Sequence, residues 1–341
     1  MSAGVLVSER PTSASPTTLP LLPNACGEAV RDLQRRLTAL GHEIDPGEVG
    51  TFGPSTERAV RRFQESRGLL VNGSCDAPTW AALVEAGYRL GDRLLYHRNP
   101  MLRGDDVADL QLRLGALGFD AGRVDGIFGP NTEAALKDFQ RNTGLTTDGV
   151  CGRDVLATLE RLGGRVDHNS SVAGVRERDR LRHSPRALHG RRLAIGDGGG
   201  LEVVVTAMAR DLQAKGAVVA VLNHPDPSIH AREANEFDAD VYLGLGFGDQ
   251  DLCQCTYYAT TGFESAGGHH LADVLTTTLH QQAGLPVAES RAMRLPILRE
   301  TRMPAVMCYL GPVDQVVVGT ATVAEALVTG LVHWVEDPVV T

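Results

Sequence analysis

The chain has 341 residues, of which 43% are hydrophobic and 22% are charged, and its formal net charge at pH 7 is −9. This length predicts two or three globular domains, and the negative charge gives no electrostatic support to a nucleic-acid-binding role. The six cysteines are scattered along the chain, which argues against a disulfide-rich secreted scaffold.

The first 25 residues are rich in Ser, Thr and Pro, and this composition predicts a disordered tail over 1–25. The start has no basic segment followed by a long apolar one, so no signal peptide is predicted. No stretch reaches the roughly 18 apolar residues of a membrane-spanning helix, and we therefore expect a cytoplasmic protein. The tail also offers candidate sites for a Ser/Thr kinase, which are Thr12, Ser13, Ser15, Thr17 and Thr18.

Two copies of one sequence pattern follow the tail. AVRDLQRRLTALG at 29–41 returns as DVADLQLRLGALG at 106–118, and GTFGPSTERAVRRFQ at 50–64 returns as GIFGPNTEAALKDFQ at 126–140. The repeats are assigned to residues 26–88 and 89–163. The chain therefore contains a tandem duplication ahead of its last domain.

Each repeat is predicted to be an all-α bundle of three helices. Apolar residues recur at helical spacing in the first helix of each copy, and Gly41 and Gly118 follow as C-terminal stops. The second helices are expected to begin near Thr56 and Thr132. The apolar residues that define the first and third helices are Val30, Leu33, Leu37, Leu40, Trp80 and Leu83 in one copy and Val107, Leu110, Leu114, Leu117, Leu156 and Leu159 in the other.

The repeats resemble the type 1 peptidoglycan-binding domain, a small three-helix bundle found in many cell-wall hydrolases. The resemblance implies ligand-binding candidates in the second copy, which are Asp125, Gly126, Phe128, Gly129, Thr132, Phe139 and Gln140. The first copy has Val49 where the second has Asp125. The alternative interpretation is that these residues hold the bundle together, with Gly in turns, Thr at a helix N-cap and Phe in the core.

Residues 164–190 are predicted to be a linker. Its run VRERDRLRH at 175–183 is rich in charge. We interpret this run as a solvated helix face in preference to a basic contact patch.

From Arg191 to the end the pattern changes to alternating strands and helices. Strands are predicted at 192–195, 217–222, 240–247, 252–259 and 303–310, and helices at 202–216, 269–284 and 320–335. Such alternation predicts a sheet covered by helices. The fold class is therefore multidomain, with two small all-α bundles and one α/β domain that has a mixed sheet, at 191–341.

This last domain resembles the type 3 N-acetylmuramoyl-L-alanine amidases, which are zinc enzymes. Three landmarks carry the resemblance, RRLAIGDGGG at 191–200, ANEFDADVYLGL at 234–245 and LRETRMPAVMCYLG at 298–311. The resemblance implies that two histidine ligands of the family fall on Gly199 and Gly246 and that its catalytic glutamate falls on Tyr309. The remaining ligand of the family is a glutamate that opens the following helix, and its position falls near Asp197. Glu202, at the predicted start of that helix, is the nearest carboxylate there.

These replacements predict that zinc and catalysis are both lost. Glycine has no side chain to bind a metal, and a tyrosine, with an ordinary pKa of about 10, is a poor base at neutral pH. Other candidate metal ligands are the pairs His269 and His270, Cys253 and Cys255, and His224 and His230, but isolated His and Cys are more often ordinary residues. GDGGG at 196–200 lacks the residues of a phosphate loop and is interpreted as a flexible turn.

The domain order resembles that of the CwlM-type proteins of actinobacteria. The resemblance implies a pseudoenzyme without a cofactor, which regulates peptidoglycan precursor synthesis by binding an enzyme of the pathway. The UDP-N-acetylglucosamine enolpyruvyl transferase is the expected partner, and a muropeptide precursor is a possible ligand. Two alternatives stay open: a zinc-dependent amidase that hydrolyses peptidoglycan, and a passive peptidoglycan-binding module.

Overall fold

The computed structural model describes residues 19–163, 172–248 and 251–338. The proposed phosphorylation sites of the tail lie outside these ranges. The chain forms two compact units, Met1–Ser66 with Leu70–Tyr88, and Arg67–Leu69 with Arg89–Thr341. Within the described ranges, no helix is long and apolar enough to cross a membrane.

The first repeat is a bundle of three helices, as predicted: α1 (Glu28–Ala39), α2 (Pro54–Ser66) and α3 (Ala77–Glu85). The apolar spacing of α1 and α2 buries Leu33, Leu37 and Phe63 in its core. Gln34 ties the bundle together, because its amide nitrogen donates to Thr56 Oγ1 at 2.9 Å and its amide oxygen accepts from the Gly50 N–H at 2.8 Å. A buried amide needs such partners, since an unpaired one costs free energy.

The second repeat has the same three helices, α4 (Asp105–Ala116), α5 (Pro130–Thr143) and α6 (Arg153–Gly163). Gln111 takes the place of Gln34, and its amide nitrogen donates to Thr132 Oγ1 at 3.0 Å. The duplication in sequence is therefore a duplication of the internal hydrogen-bond network as well as of the helices.

Part of the predicted linker is a helix that packs on the α/β domain. Helix α7 (Val172–Arg182) has mostly exposed charged residues, but Leu181 is buried in the core of that domain. Glu177 Oε1 accepts a hydrogen bond from Ser265 Oγ at 2.7 Å and another from the Gly267 N–H. The described part of 164–190 thus belongs to the second unit, because Leu181 and Glu177 make specific contacts with its α/β domain.

The α/β domain contains one mixed sheet, as predicted, but it has seven strands, because β5 and β6 join the five predicted ones. In spatial order it runs β2-β1-β3-β7-β4-β5, with β6 also paired to β4. The pairs β1–β2, β1–β3, β3–β7 and β4–β6 are parallel, whereas β4 is antiparallel to β7 and β5. The strands are β1 (Arg192–Asp197), β2 (Val218–Leu222), β3 (Val241–Phe247), β4 (Gln254–Thr260), β5 (Phe263–Glu264), β6 (Arg291–Met293) and β7 (Ala305–Leu310).

Six helices accompany the sheet: α8 (Glu202–Ala214), α9 (Pro227–Glu236), α10 (Ala266–Ala283), α11 (Pro296–Glu300), α12 (Val313–Val318) and α13 (Thr320–Glu336). Helices α8, α10 and α13 were predicted. Helix α9 was not predicted. Its buried face consists of Ala231, Ala234 and His230, so it lacks the large apolar residues that make a helical period visible.

The two faces of the sheet are covered differently. Helices α8, α10 and α13 pack on one face, over residues such as Leu243 and Val306. The other face packs against α9, α11 and part of the second repeat, including Val124 and Leu112. The strand ends between these layers are where the sequence places its candidate site.

Candidate functional site at the carboxyl edge of the sheet

The three positions assigned from the sequence lie at one edge of the sheet. Gly246 in β3 is directly opposite Tyr309 in β7. The Gly198 N–H donates to Leu245 O at 2.7 Å, which places the turn that contains Gly199 beside the end of β3. Since β1, β3 and β7 are parallel, their carboxyl ends share an edge, which is where ligands bind in α/β sheets.

The space above Gly246 is filled by the side chain of Met307. A Cβ atom at position 246 would lie 3.0 Å from Met307 Cε, and one at position 244 would lie 2.5 Å from Met307 Sδ. Tyr242 fills the neighbouring space, because a Cβ at Gly196 would lie 2.1 Å from its hydroxyl oxygen. These glycines therefore let two large side chains lie flat on the sheet where larger residues would exclude them.

Gly199 is different from Gly246, because nothing lies within 4 Å of the Cβ position at residue 199. Its φ of +107° is a backbone conformation that residues with a side chain rarely adopt. The edge thus has open space at residue 199 and occupied space at residue 246.

The side chains at these positions do not fit a zinc ion. Zinc in proteins is bound by imidazole, thiolate or carboxylate groups, and Gly199 and Gly246 offer none. Asp197 is buried and accepts from the Gly199 N–H at 2.8 Å, whereas Glu202 is exposed at the start of α8. Across residues 19–163, 172–248 and 251–338, no cluster of three or more His, Cys, Asp or Glu side chains is arranged to hold a metal.

The alternative ligand pairs are engaged elsewhere. His269 Nδ1 lies 2.6 Å from Glu264 Oε1 and its ring stacks on Tyr257, while His270 Nε2 lies 2.8 Å from Asp337 O. Cys255 contacts Cys308 across two strands, with the sulfur atoms 2.8 Å apart. Burial raises the pKa of the Cys253 thiol to about 11, so it holds its proton at neutral pH.

His230 is held in one tautomer beside the edge. Its Nε2 accepts from the His224 N–H at 2.8 Å, so its Nδ1 carries the proton and donates to Tyr242 Oη at 3.2 Å. Burial is the main cause that lowers the pKa of His230 below its ordinary value. The charged or titratable groups around it are His224, Asp226, Glu233, Asp197 and Tyr242.

Because of His230, we expect the free energy of unfolding to fall in acid. Because the pKa of His230 is lower in the folded protein than in the unfolded chain, the unfolded chain binds its proton first as pH falls below about 6.5. The free energy of unfolding should therefore fall from about pH 7 to pH 5 more steeply in the wild type than in His230→Gln. Urea denaturation across this range measures both slopes, and equal slopes would contradict the assignment.

The binding candidates of the second repeat belong to its interior. Phe128, Thr132, Phe139 and Gln140 are buried, and Gln140 donates to Val150 O. Asp125 accepts from the Gln111 amide at 2.8 Å, and burial raises the pKa of its carboxyl group. These contacts support the scaffold interpretation for the side chains, and ligand binding by the repeat stays a prediction.

The turn around Asp125 and Gly126 packs on the α/β domain. Tyr258 Oη donates to Val124 O at 2.7 Å, and Arg299 Nε donates to Asp125 O. Arg123 donates to Thr301 O, and its guanidinium lies 4.6 Å from the Tyr258 ring. This contact leaves the turn covered by protein.

Sequence reasoning missed Met307, Arg123, Tyr258 and Arg299. One signal was present: repeat 2 has Arg103 and Arg123 where repeat 1 has Cys26 and Gly47. Arg103 Nη1 lies 2.5 Å from Glu300 Oε1. These two arginines of repeat 2 therefore lie on the surface by which that copy docks.

A family model described as "Putative peptidoglycan binding domain" matches residues 26–83 and 103–159. The chain is 33% identical over 353 aligned residues to the N-acetylmuramoyl-L-alanine amidase CwlM of Mycobacterium tuberculosis, an alignment that covers 90% of this chain and 87% of that protein. It is 32% identical over 171 residues to the amidase CwlL of Bacillus licheniformis, which covers 44% of this chain and 48% of that protein.

A solved structure also matches the chain. It is the N-acetylmuramoyl-L-alanine amidase from Clostridium difficile 630, at 18% identity and a TM-score of 0.37. The match covers 43% of this chain and 98% of that one.

Proposed function

Because the chain belongs to the CwlM-type family of amidase homologues with peptidoglycan-binding domains, we propose that it is a catalytically inactive member that regulates peptidoglycan precursor synthesis. The observation that supports inactivity is the edge of the sheet, where Gly199, Gly246 and Tyr309 replace the groups that the family's chemistry needs. Met307 adds to it, because this side chain fills the space into which a ligand at residue 246 would extend.

A protein without its own reaction acts through what it binds. The proposed partner is a cytoplasmic enzyme of precursor synthesis, with the UDP-N-acetylglucosamine enolpyruvyl transferase as the first candidate. In this proposal the protein works in the cytoplasm, needs no zinc, and changes the partner's rate by contact. Phosphate added to the Ser/Thr-rich tail would change the charge available for that contact.

The experiment combines purified full-length protein with the purified transferase. We expect a complex on a sizing column and a change in transferase rate that saturates with added protein. A transferase from an unrelated pathway is the control and should keep its rate. Absence of a complex together with an unchanged rate would overturn the proposed partner.

An active zinc amidase is the second candidate, because the similar M. tuberculosis protein carries the name of an amidase. Metal analysis of the purified protein and a muropeptide-release assay separate the two. We expect neither stoichiometric zinc nor release of stem peptide. Zinc at one equivalent with turnover would establish the amidase instead.

A further inference from the structure

Strand β2 leaves one edge of the sheet open. It lies at the end of the strand order, and within the described residues only β1 pairs with it. The Val218 N–H donates to Arg191 O at 2.8 Å. Since the N–H and C=O of one strand residue point to the same side and successive residues alternate, Val219 and Val221 direct their backbone groups away from β1.

This edge is also apolar and unprotected. Val218 is 45% exposed and Val221 is 48% exposed, and they lie on opposite faces because side chains alternate along a strand. Edge strands are usually protected by charges, proline or a bulge, whereas β2 reads VVAVL. At the other end of the sheet β5 and β6 are short and carry Glu264 and Arg291.

We propose that β2 is a homodimer interface, in which two copies of the chain pair their β2 strands antiparallel about a twofold axis at Ala220. In this register Val219 of one copy lies opposite Val221 of the other. Both residues direct their backbone groups outward, so each such pair exchanges two hydrogen bonds. The axis generates the pair twice, which gives four backbone hydrogen bonds and one continuous sheet.

The side chains are self-complementary in the same register. Val219 covers the exposed Val221 of the second copy on one face, and Val218 meets Leu222 on the other. Ala220 faces itself across the axis. Every cross-strand pair is therefore aliphatic, and no like charges are brought together.

We favour a second copy of the chain as the partner of this edge, because the sequence VVAVL pairs with itself in the antiparallel register with aliphatic residues at every position. The interface is isologous, as the twofold symmetry of most homodimers requires. A five-residue ladder buries little surface, so the dimer is expected to be weak and to dissociate on dilution. The inference does not depend on the proposed regulatory function.

Sedimentation equilibrium of the full chain at several concentrations tests the proposal. We expect a reversible monomer–dimer equilibrium, and Val221→Lys should weaken it by at least about tenfold, because the charge is introduced twice in a symmetric interface. Val203→Lys is the matched control, since Val203 is 70% exposed in α8 of the same domain. A chain that stays monomeric, or a dimer that Val221→Lys leaves intact, would overturn the proposal.

A cross-link gives the register directly. Residues opposite each other in a non-hydrogen-bonded antiparallel pair have Cα atoms about 4.5 Å apart, which suits a disulfide. Ala220→Cys, in a chain that also carries Cys26→Ser because Cys26 is exposed, should form a covalent dimer when diamide accepts the two electrons and two protons of the thiols. Val203→Cys in the same background should stay monomeric. No cross-link at residue 220, or equal cross-linking at both positions, would count against the twofold axis.

Discussion

Gly246→His is expected to lower the free energy of unfolding of the α/β domain by about 1 to 3 kcal/mol, the usual cost of forcing a side chain into filled space. The reason is the Met307 side chain, whose Cε would lie 3.0 Å from the new Cβ. Met307 is half-buried and its Sδ already lies close to Gly244, so its terminal methyl group would have to move to admit the new side chain. Urea denaturation of the full chain measures the loss.

A double-mutant cycle with Met307→Ala identifies the obstacle. Removing the Met307 side chain should relieve most of the cost of Gly246→His, which gives a coupling energy of about 1 kcal/mol or more. Gly199→His is the matched control. It has free space at its Cβ but a φ of +107°, so it should cost about 1 to 3 kcal/mol through backbone strain alone. If Met307→Ala relieves both changes equally, or neither, Met307 is not what fills the site.

Arg123→Ala is expected to loosen the second repeat from the α/β domain, at a cost of about 1 to 2 kcal/mol, because the lost contacts are partly offset by two buried guanidinium nitrogens that have no partner among the described residues. The variant loses the hydrogen bond to Thr301 O and the stacking of the guanidinium on Tyr258 and Phe263, whose ring centres are 4.6 Å and 5.3 Å away. Hydrogen exchange should show faster exchange in α4–α6 while the central strands stay protected. Equal protection of both parts would contradict a docked repeat.

The matched control for this variant is Arg141→Ala. Arg141 lies on α5 of the same repeat, is 65% exposed, and pairs with Asp138. Exposed ion pairs of this kind contribute little, so the variant should change the free energy of unfolding by less than about 0.5 kcal/mol. A loss as large as that of Arg123→Ala would mean that any arginine removed from this repeat destabilises it.

The turn that packs on the α/β domain in repeat 2 is exposed at Val49 in repeat 1. In repeat 2, Asp125 and Gly126 lie against Arg299, whereas the corresponding Val49 of repeat 1 is 61% exposed. A ligand that approached repeat 2 by this turn would have to displace Arg299 and Tyr258. Val49 of repeat 1 is exposed at the same point, so the two bundles differ in how this turn is covered.

The sequence by itself determined the elements whose signals are short-range. The spacing of Leu33 and Leu37, repeated at Leu110 and Leu114, defines helices because a helix brings every third or fourth residue to one face. Short continuous apolar runs, such as 240–247, defined the central strands, because a strand buried on both faces is apolar at successive positions. The resemblance to the amidase family assigned Gly199, Gly246 and Tyr309 to one site, and the structure places them at one edge of the sheet.

Only the tertiary structure decided what surrounds that edge. Tyr258 and Val124 are 134 residues apart in sequence yet share a hydrogen bond, and no local period connects them. Met307 lies in a strand that was predicted. Its side chain lies over Gly244 and Gly246 only because β3 is the neighbour of β7 in the sheet, and the sequence did not determine that pairing. Helix α9 was missed for a related reason. Its buried face carries alanines, because the sheet lies close to the helix, and alanines do not stand out as an apolar period in the sequence.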